Sequence, residues 1–147
     1  MTGPLVLLVA VLATVLLGVL YSRVNGRFRA QPPAPSTGED AGTVADDRDV
    51  LQSDDIGADL GERLTLVQFS SAFCSPCRAT RTLLADVTSD RPDVAHVEVD
   101  AESNLDLVRR LDIRRTPTVV VLDATGAVVG RASGLPKREQ VEAVLAG

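Results

Sequence analysis

The sequence predicts an α/β domain on a central mixed sheet with flanking helices, preceded by one N-terminal transmembrane helix. Three observations predict it. After residue 50, short apolar runs rich in β-branched residues alternate with helical patterns, which implies βαβ units and a parallel sheet. Two such runs flank Asp123-Ala-Thr-Gly126, a turn signal, so a hairpin adds an antiparallel edge. Before all of this, Gly3 to Tyr21 is 19 residues without a charge, mostly Leu, Val and Ala.

As a helix, that uncharged run is roughly 28 Å long, about one hydrocarbon core. A secretory signal would carry a basic start and a small-residue cleavage site. Here nothing basic precedes the run and no A-x-A site ends it, so the expectation is an uncleaved anchor through residues 3–21. A cleaved signal or a buried core helix is the plainer alternative. Arg23, Arg27 and Arg29 follow the run. Cations favour the cytoplasmic side of a span, so the C-terminal part is expected in the cytoplasm at the cell membrane, with an extracytoplasmic placement as the alternative.

Charge divides the 147 residues into three. Residues 1–30 hold those three arginines and no acid; residues 31–62 hold nine acids against Arg48 alone; residues 63–147 hold eleven of each sign. The net −5 thus belongs to the middle segment. Residues 31–49, QPPAPSTGEDAGTVADDRD, are Pro-rich and acidic and read as a disordered tether. The expected organisation is anchor and basic flank 1–30, linker 31–49 and folded domain 50–147. No basic patch interleaved with aromatics suggests nucleic acid.

Within the domain, Val50 to Gln52 reads as a short strand. Ser53 reads as the N-cap of a helix over Asp54–Leu60 that Gly61 ends. Leu64–Ser70 is a buried strand. Ser75 to about Asp90 is a helix with Pro76 in its first turn and Leu83, Leu84 and Val87 on one face. Val94–Val99 is a strand. Ser103–Leu111 is a helix with a stripe of Leu105, Val108 and Leu111. Thr118–Leu122 and Ala127–Ala132 form the hairpin. Pro136–Ala146 is a terminal helix turning Val141, Val144 and Leu145 inward.

The chemistry lies at Phe73-Cys-Ser-Pro-Cys77, which holds both cysteines of the chain. The pair follows a strand and opens a helix. Cys74 would sit at the helix N-terminus, where free N–H groups and the dipole favour a thiolate. Cys77 is one turn on, on the same face, and Pro76 restricts the backbone between them. An exposed thiolate with a resolving partner suits thiol–disulfide exchange. Half a zinc site is the alternative, but zinc takes four ligands and His96 is the only His. A purely structural disulfide is another, although so small a loop gains little from closure.

From about residue 55 to the C-terminus the chain resembles the thioredoxin family. The markers are Leu66-Val-Gln-Phe69, Phe73-Cys-Ser-Pro-Cys77, Asp100 after the next strand, Leu111-Asp-Ile-Arg-Arg-Thr-Pro-Thr118 and the late Gly126 and Gly134. The resemblance implies a thioredoxin-like fold and a disulfide reductase acting through the Cys74/Cys77 dithiol, with no cofactor beyond that redox-active disulfide and no metal. It implies protein disulfide substrates and an electron-donating reductase. It also implies a cis bond at Thr116-Pro117, which would turn the Thr116 backbone toward an extended substrate. Phe73, Ser75 and Pro76 would support the site. The rival readings are an extracytoplasmic oxidoreductase, for cytochrome assembly or disulfide isomerisation, and a non-catalytic docking module.

Three departures stand out. Phe73 replaces the usual Trp and Ser75 the usual Gly. Gln68 stands at the family's buried proton-transfer Asp, and His96 at the Lys beside it. Gln cannot titrate. His96, with an ordinary pKa near ~6.5, is the expected proton acceptor, and a packed strand residue is the plainer alternative.

Overall fold

The computed structural model describes residues 3–24, 28–30 and 50–147; the expected linker 31–49 lies outside them. In chain order the elements are α1 (Gly3–Val24), β1 (Phe28–Ala30), α2 (Ser53–Ile56), β2 (Leu64–Ser70), α3 (Ser75–Thr88), β3 (Val94–Asp100), α4 (Leu105–Arg110), β4 (Thr118–Asp123), β5 (Val128–Ser133) and α5 (Arg138–Ala146). The sheet order is β1-β5-β4-β2-β3.

The strands sit where apolar runs were expected, but their directions differ from the expectation. Among the described residues only β2 and β3 pair in parallel; β4 is antiparallel to β2, and β5 to β4. The connection from β3 to β4 does not cross the sheet from end to end, and its helix α4 is only six residues long. The chain leaves β3 at Asp100 and enters β4 at Thr118, which is opposite Phe69 at the same end of the sheet.

Strand alternation produces two cores. Val67, Phe69, Val99, Val120 and Leu122 face one layer with Leu51, Ile56, Leu107 and Leu111. Leu66, Val119 and Val121 face the other, with Leu84 and Val87 of α3 and Val141 and Leu145 of α5. The second layer carries the cysteines.

Local chemistry moved several helix ends. α2 starts after Gln52, whose N–H donates to the Asp55 carboxylate at 2.8 Å, and it stops at Gly57 with φ of 68°, ahead of the expected Gly61. α4 opens at Asn104, whose carbonyl accepts the Val108 N–H at 3.0 Å, and not at Ser103; both side chains bond Asp100 and hold the turn after β3. The inward stripe of α4 is therefore Leu107, Val108 and Leu111, while Leu105 is half exposed. Val50 makes a single antiparallel bridge to Ala127. In the hairpin turn, Gly126 has φ of 84°, and a Cβ there would lie 1.9 Å from the Leu51 carbonyl oxygen, so only glycine fits.

β1 has no counterpart among the expected elements. Phe28–Ala30, which the sequence placed in the basic flank, pairs antiparallel with β5: Phe28 with Ala132, Arg29 with Arg131 and Ala30 with Gly130. Phe28 packs on the second core. The expected transmembrane helix is present as a helix, and its Val and Leu side chains from Val6 to Leu20 are exposed. Those described side chains span 15 residues, roughly 22 Å, and among the described residues no helix is long and apolar enough to cross a membrane.

Candidate active site

β2 ends at Ser70, and four residues later Cys74 caps α3. Its Sγ accepts the Cys77 N–H at 3.2 Å, the position in which a thiolate would be held by the helix N-terminus. Cys74 and Cys77 are joined as a disulfide, with Cα atoms 5.2 Å apart. Cys74 is partly exposed and Cys77 is buried, so one sulfur can be reached by a partner and the other cannot. Ser75 and Pro76 are exposed beside them, and Thr80 bonds back to the Pro76 carbonyl at 2.9 Å.

Phe73 is fully exposed and has φ of 59°. A bulky side chain in the left-handed region is held there by its surroundings and costs on the order of 1 kcal/mol. The result is an apolar ring standing in solvent next to Cys74. Thr116-Pro117 is cis. That loop is tied to the cysteine loop by a 2.8 Å hydrogen bond between the Thr116 and Ser71 hydroxyls, and the Pro117 carbonyl accepts the Gly134 N–H at 2.7 Å. The two segments singled out in the sequence thus meet at one end of the sheet.

Behind the disulfide lies Gln68, with no exposed surface. Its amide NH2 donates to the Cys77 carbonyl at 2.9 Å and to the Ser70 hydroxyl at 2.8 Å, and its oxygen faces His96 Nε2 at 3.3 Å. An amide oxygen only accepts, so Nε2 is the protonated nitrogen of His96 and Nδ1 is free of hydrogen in the neutral ring. Burial holds the His96 pKa below its ordinary value, against the opposing attraction of Glu98. Gln68 and His96 are therefore in contact, as expected from adjacent strands. The Gln68 amide bonds the Cys77 backbone, and His96 stands on its far side.

Sequence reasoning missed the outer part of this network. Ser70 also bonds Glu98, whose carboxylate is held below its usual range, chiefly by the Arg81 guanidinium. Arg81 and Glu98 form a two-pronged pair at 2.5 and 2.6 Å. Ser70, Ser71, Ala72, Arg81, Glu98 and Asp100 line an open cleft of about 370 Å³ beside the cysteine loop. Period two was the available signal: residues 68 and 70 of β2 and 96, 98 and 100 of β3 share the face that α3 covers. Among the described residues no three His, Cys, Asp or Glu gather as a metal-ligand set.

An exposed sulfur on a helix N-terminus, a buried partner sulfur and an adjoining cis-proline loop can exchange disulfides. The Thioredoxin family model matches residues 50–146. The chain is 33% identical over 91 residues to Thioredoxin domain-containing protein 2 of Mus musculus, covering 57% of this chain and 18% of that protein. It is 29% identical over 99 residues to Thioredoxin of Mycolicibacterium smegmatis, covering 65% of this chain and 85% of that one. The chain spans 18% of the mouse protein and 44% of Thioredoxin H5 of Oryza sativa, which it also resembles. Among solved structures, thioredoxin F from spinach chloroplast superposes with a TM-score of 0.52 at 26% identity, over 58% of this chain and 77% of that one. With the cysteine pair and the cis-proline loop in the positions that the resemblance implied, the chain belongs to the thioredoxin family.

Proposed function

We propose that this chain is a membrane-tethered disulfide reductase working through Cys74 and Cys77. The observation that carries the reading is the asymmetry of the two sulfurs on one helix turn: Cys74 reachable at the N-terminus of α3 and Cys77 buried behind it. From the dithiol, the Cys74 thiolate attacks a protein disulfide and expels one substrate thiolate, which takes up a proton. Cys77 then loses its proton and attacks the Cys74 sulfur. The second substrate thiol leaves, and the Cys74–Cys77 bond forms. An electron-donating reductase must then return two electrons and two protons to the Cys74–Cys77 disulfide to close the cycle. Phe73 offers an apolar contact, and the loop at Thr116 and Pro117 takes the substrate backbone.

Gln68 fixes the carbonyl of the resolving residue, and His96 fixes Gln68. His96 is proposed as proton acceptor through water, since the Gln68 amide cannot itself carry the proton. The uncharged run 3–21 is proposed as the anchor, and Arg23, Arg27 and Arg29 after it support a cytoplasmic side for the domain. The test is turnover of insulin disulfides by the full chain, with dithiothreitol supplying electrons. The account expects turnover that Cys74→Ser abolishes; full activity of that variant would refute it.

A further inference from the structure

Without β1, the tether from Val24 to Val50 would let the domain range up to about 90 Å from the end of α1. β1 changes that reach. Only three residues separate Val24 from Phe28, and Phe28 is already paired with β5. Three ladder steps, Phe28 to Ala132, to Val119, to Gln68, lead across the sheet to the residue bonded to Cys77. At about 4.8 Å per step that is roughly 14 Å. The chain entering β1 adds at most about 14 Å. Phe28 reinforces the pairing: with Val121, Gly130, Ala143 and Val144 it lines an apolar groove of about 360 Å³ between β5 and α5, and it packs on the second core. The pairing also covers the edge of β5, which would otherwise present unpaired backbone groups.

We infer that β1 is a strap that keeps the dithiol within about 30 Å of the lipid surface, so that its substrates are disulfides lying close to the membrane plane. The inference rests on the proposed anchor and activity. Residues 31–49 then no longer set the reach.

The experiment uses the full chain in phosphatidylcholine vesicles, reduced beforehand and freed of reductant. Reporter disulfide peptides are held about 20 or 70 Å above the bilayer on polyproline spacers of about 3.1 Å per residue. Flotation with the vesicles tests the anchor independently. Wild type should float and reduce the near reporter at least about tenfold faster than the far one, through its higher effective concentration. Phe28→Asp should float, lose most of that preference and exchange faster those backbone amides of Val128–Ser133 that point to β1 rather than β4. Forty Gly/Ser residues inserted after Val24, roughly 35 Å root-mean-square and up to about 140 Å extended, should leave that exchange slow and bring the far reporter within reach.

Equal rates at both heights by a floating wild type overturn the proposal alone. So does unchanged amide exchange in Phe28→Asp, or an unchanged height profile after the insertion. A chain that does not float overturns the anchor and the strap's consequence with it. A floating chain that reduces neither reporter overturns the reductase reading on which the substrate class depends.

Discussion

Replacing Gln68 by Glu keeps the shape of the side chain behind the disulfide and makes it titratable. The wild-type amide donates two hydrogen bonds, to Ser70 and Cys77, and accepts one from His96. A protonated Glu can donate one of the two and still accept from His96, so below the unfolded pKa of ~4.3 the cost is one lost bond, about 1 kcal/mol. An ionised Glu can donate none, and the site has no exposed surface. Burial raises its folded pKa, by as much as ~4 units at fully buried sites; with His96 in reach, about 2 units is the working figure. A pKa raised in the folded state gives stability that is fully present below the unfolded value of ~4.3 and is lost as pH rises through the folded value. At about 1.4 kcal/mol per unit the full loss is ~3 kcal/mol, of which roughly 2 kcal/mol should appear between pH 5 and pH 8 relative to wild type. Urea unfolding of the two oxidised proteins across that range measures the difference. A Glu variant whose deficit does not grow with pH would show that position 68 is wet, and would remove the reason for treating Gln68 as a sealed, fixed amide.

Two further outcomes follow from the same site. His96 has its pKa lowered by burial, so its stabilising contribution is full above the unfolded value near ~6.5 and is lost as pH falls from there toward the folded value. His96→Asn should flatten that acid-side loss in urea unfolding. In stopped-flow traces the variant should also slow resolution of the mixed disulfide more than the first attack, by about 10²-fold or less. Phe73→Gly should leave thermal stability unchanged or raise it by up to about 1 kcal/mol, since it relieves the positive φ, while lowering kcat/KM for protein disulfides through loss of the apolar contact.

The parts of the fold that sequence made legible are those with local causes. β2, α3 and the hairpin strands announce themselves by periodicity and by Pro76 and Gly126, and the cysteines by their place between a strand and a helix. The parts that stayed hidden have tertiary causes. Phe28-Arg-Ala is three residues with no alternation, and only its pairing with β5 and the groove beneath Phe28 make it a strand. The direction of β4 depends on which end of the sheet the chain has reached after α4, and no local pattern marks that. The helix was expected from Ser103 because nothing local showed that its hydroxyl would serve Asp100. The Gln68–His96 contact came from family resemblance. The extension to Ser70, Glu98 and Arg81 was within reach of the period-two rule, and became visible once the β2–β3 register was known.

The central claim is that Cys74 attacks and Cys77 resolves, and trapping tests it most directly. Cys77→Ser, reduced and mixed with a protein disulfide substrate, should accumulate a covalent adduct that mass spectrometry of the digest assigns to Cys74. Cys74→Ser should accumulate none, because its remaining thiol is buried at 2% exposure. Adduct at Cys77 in the Cys74→Ser protein, at a rate equal to that of Cys77→Ser, would contradict the assignment of roles to the two sulfurs.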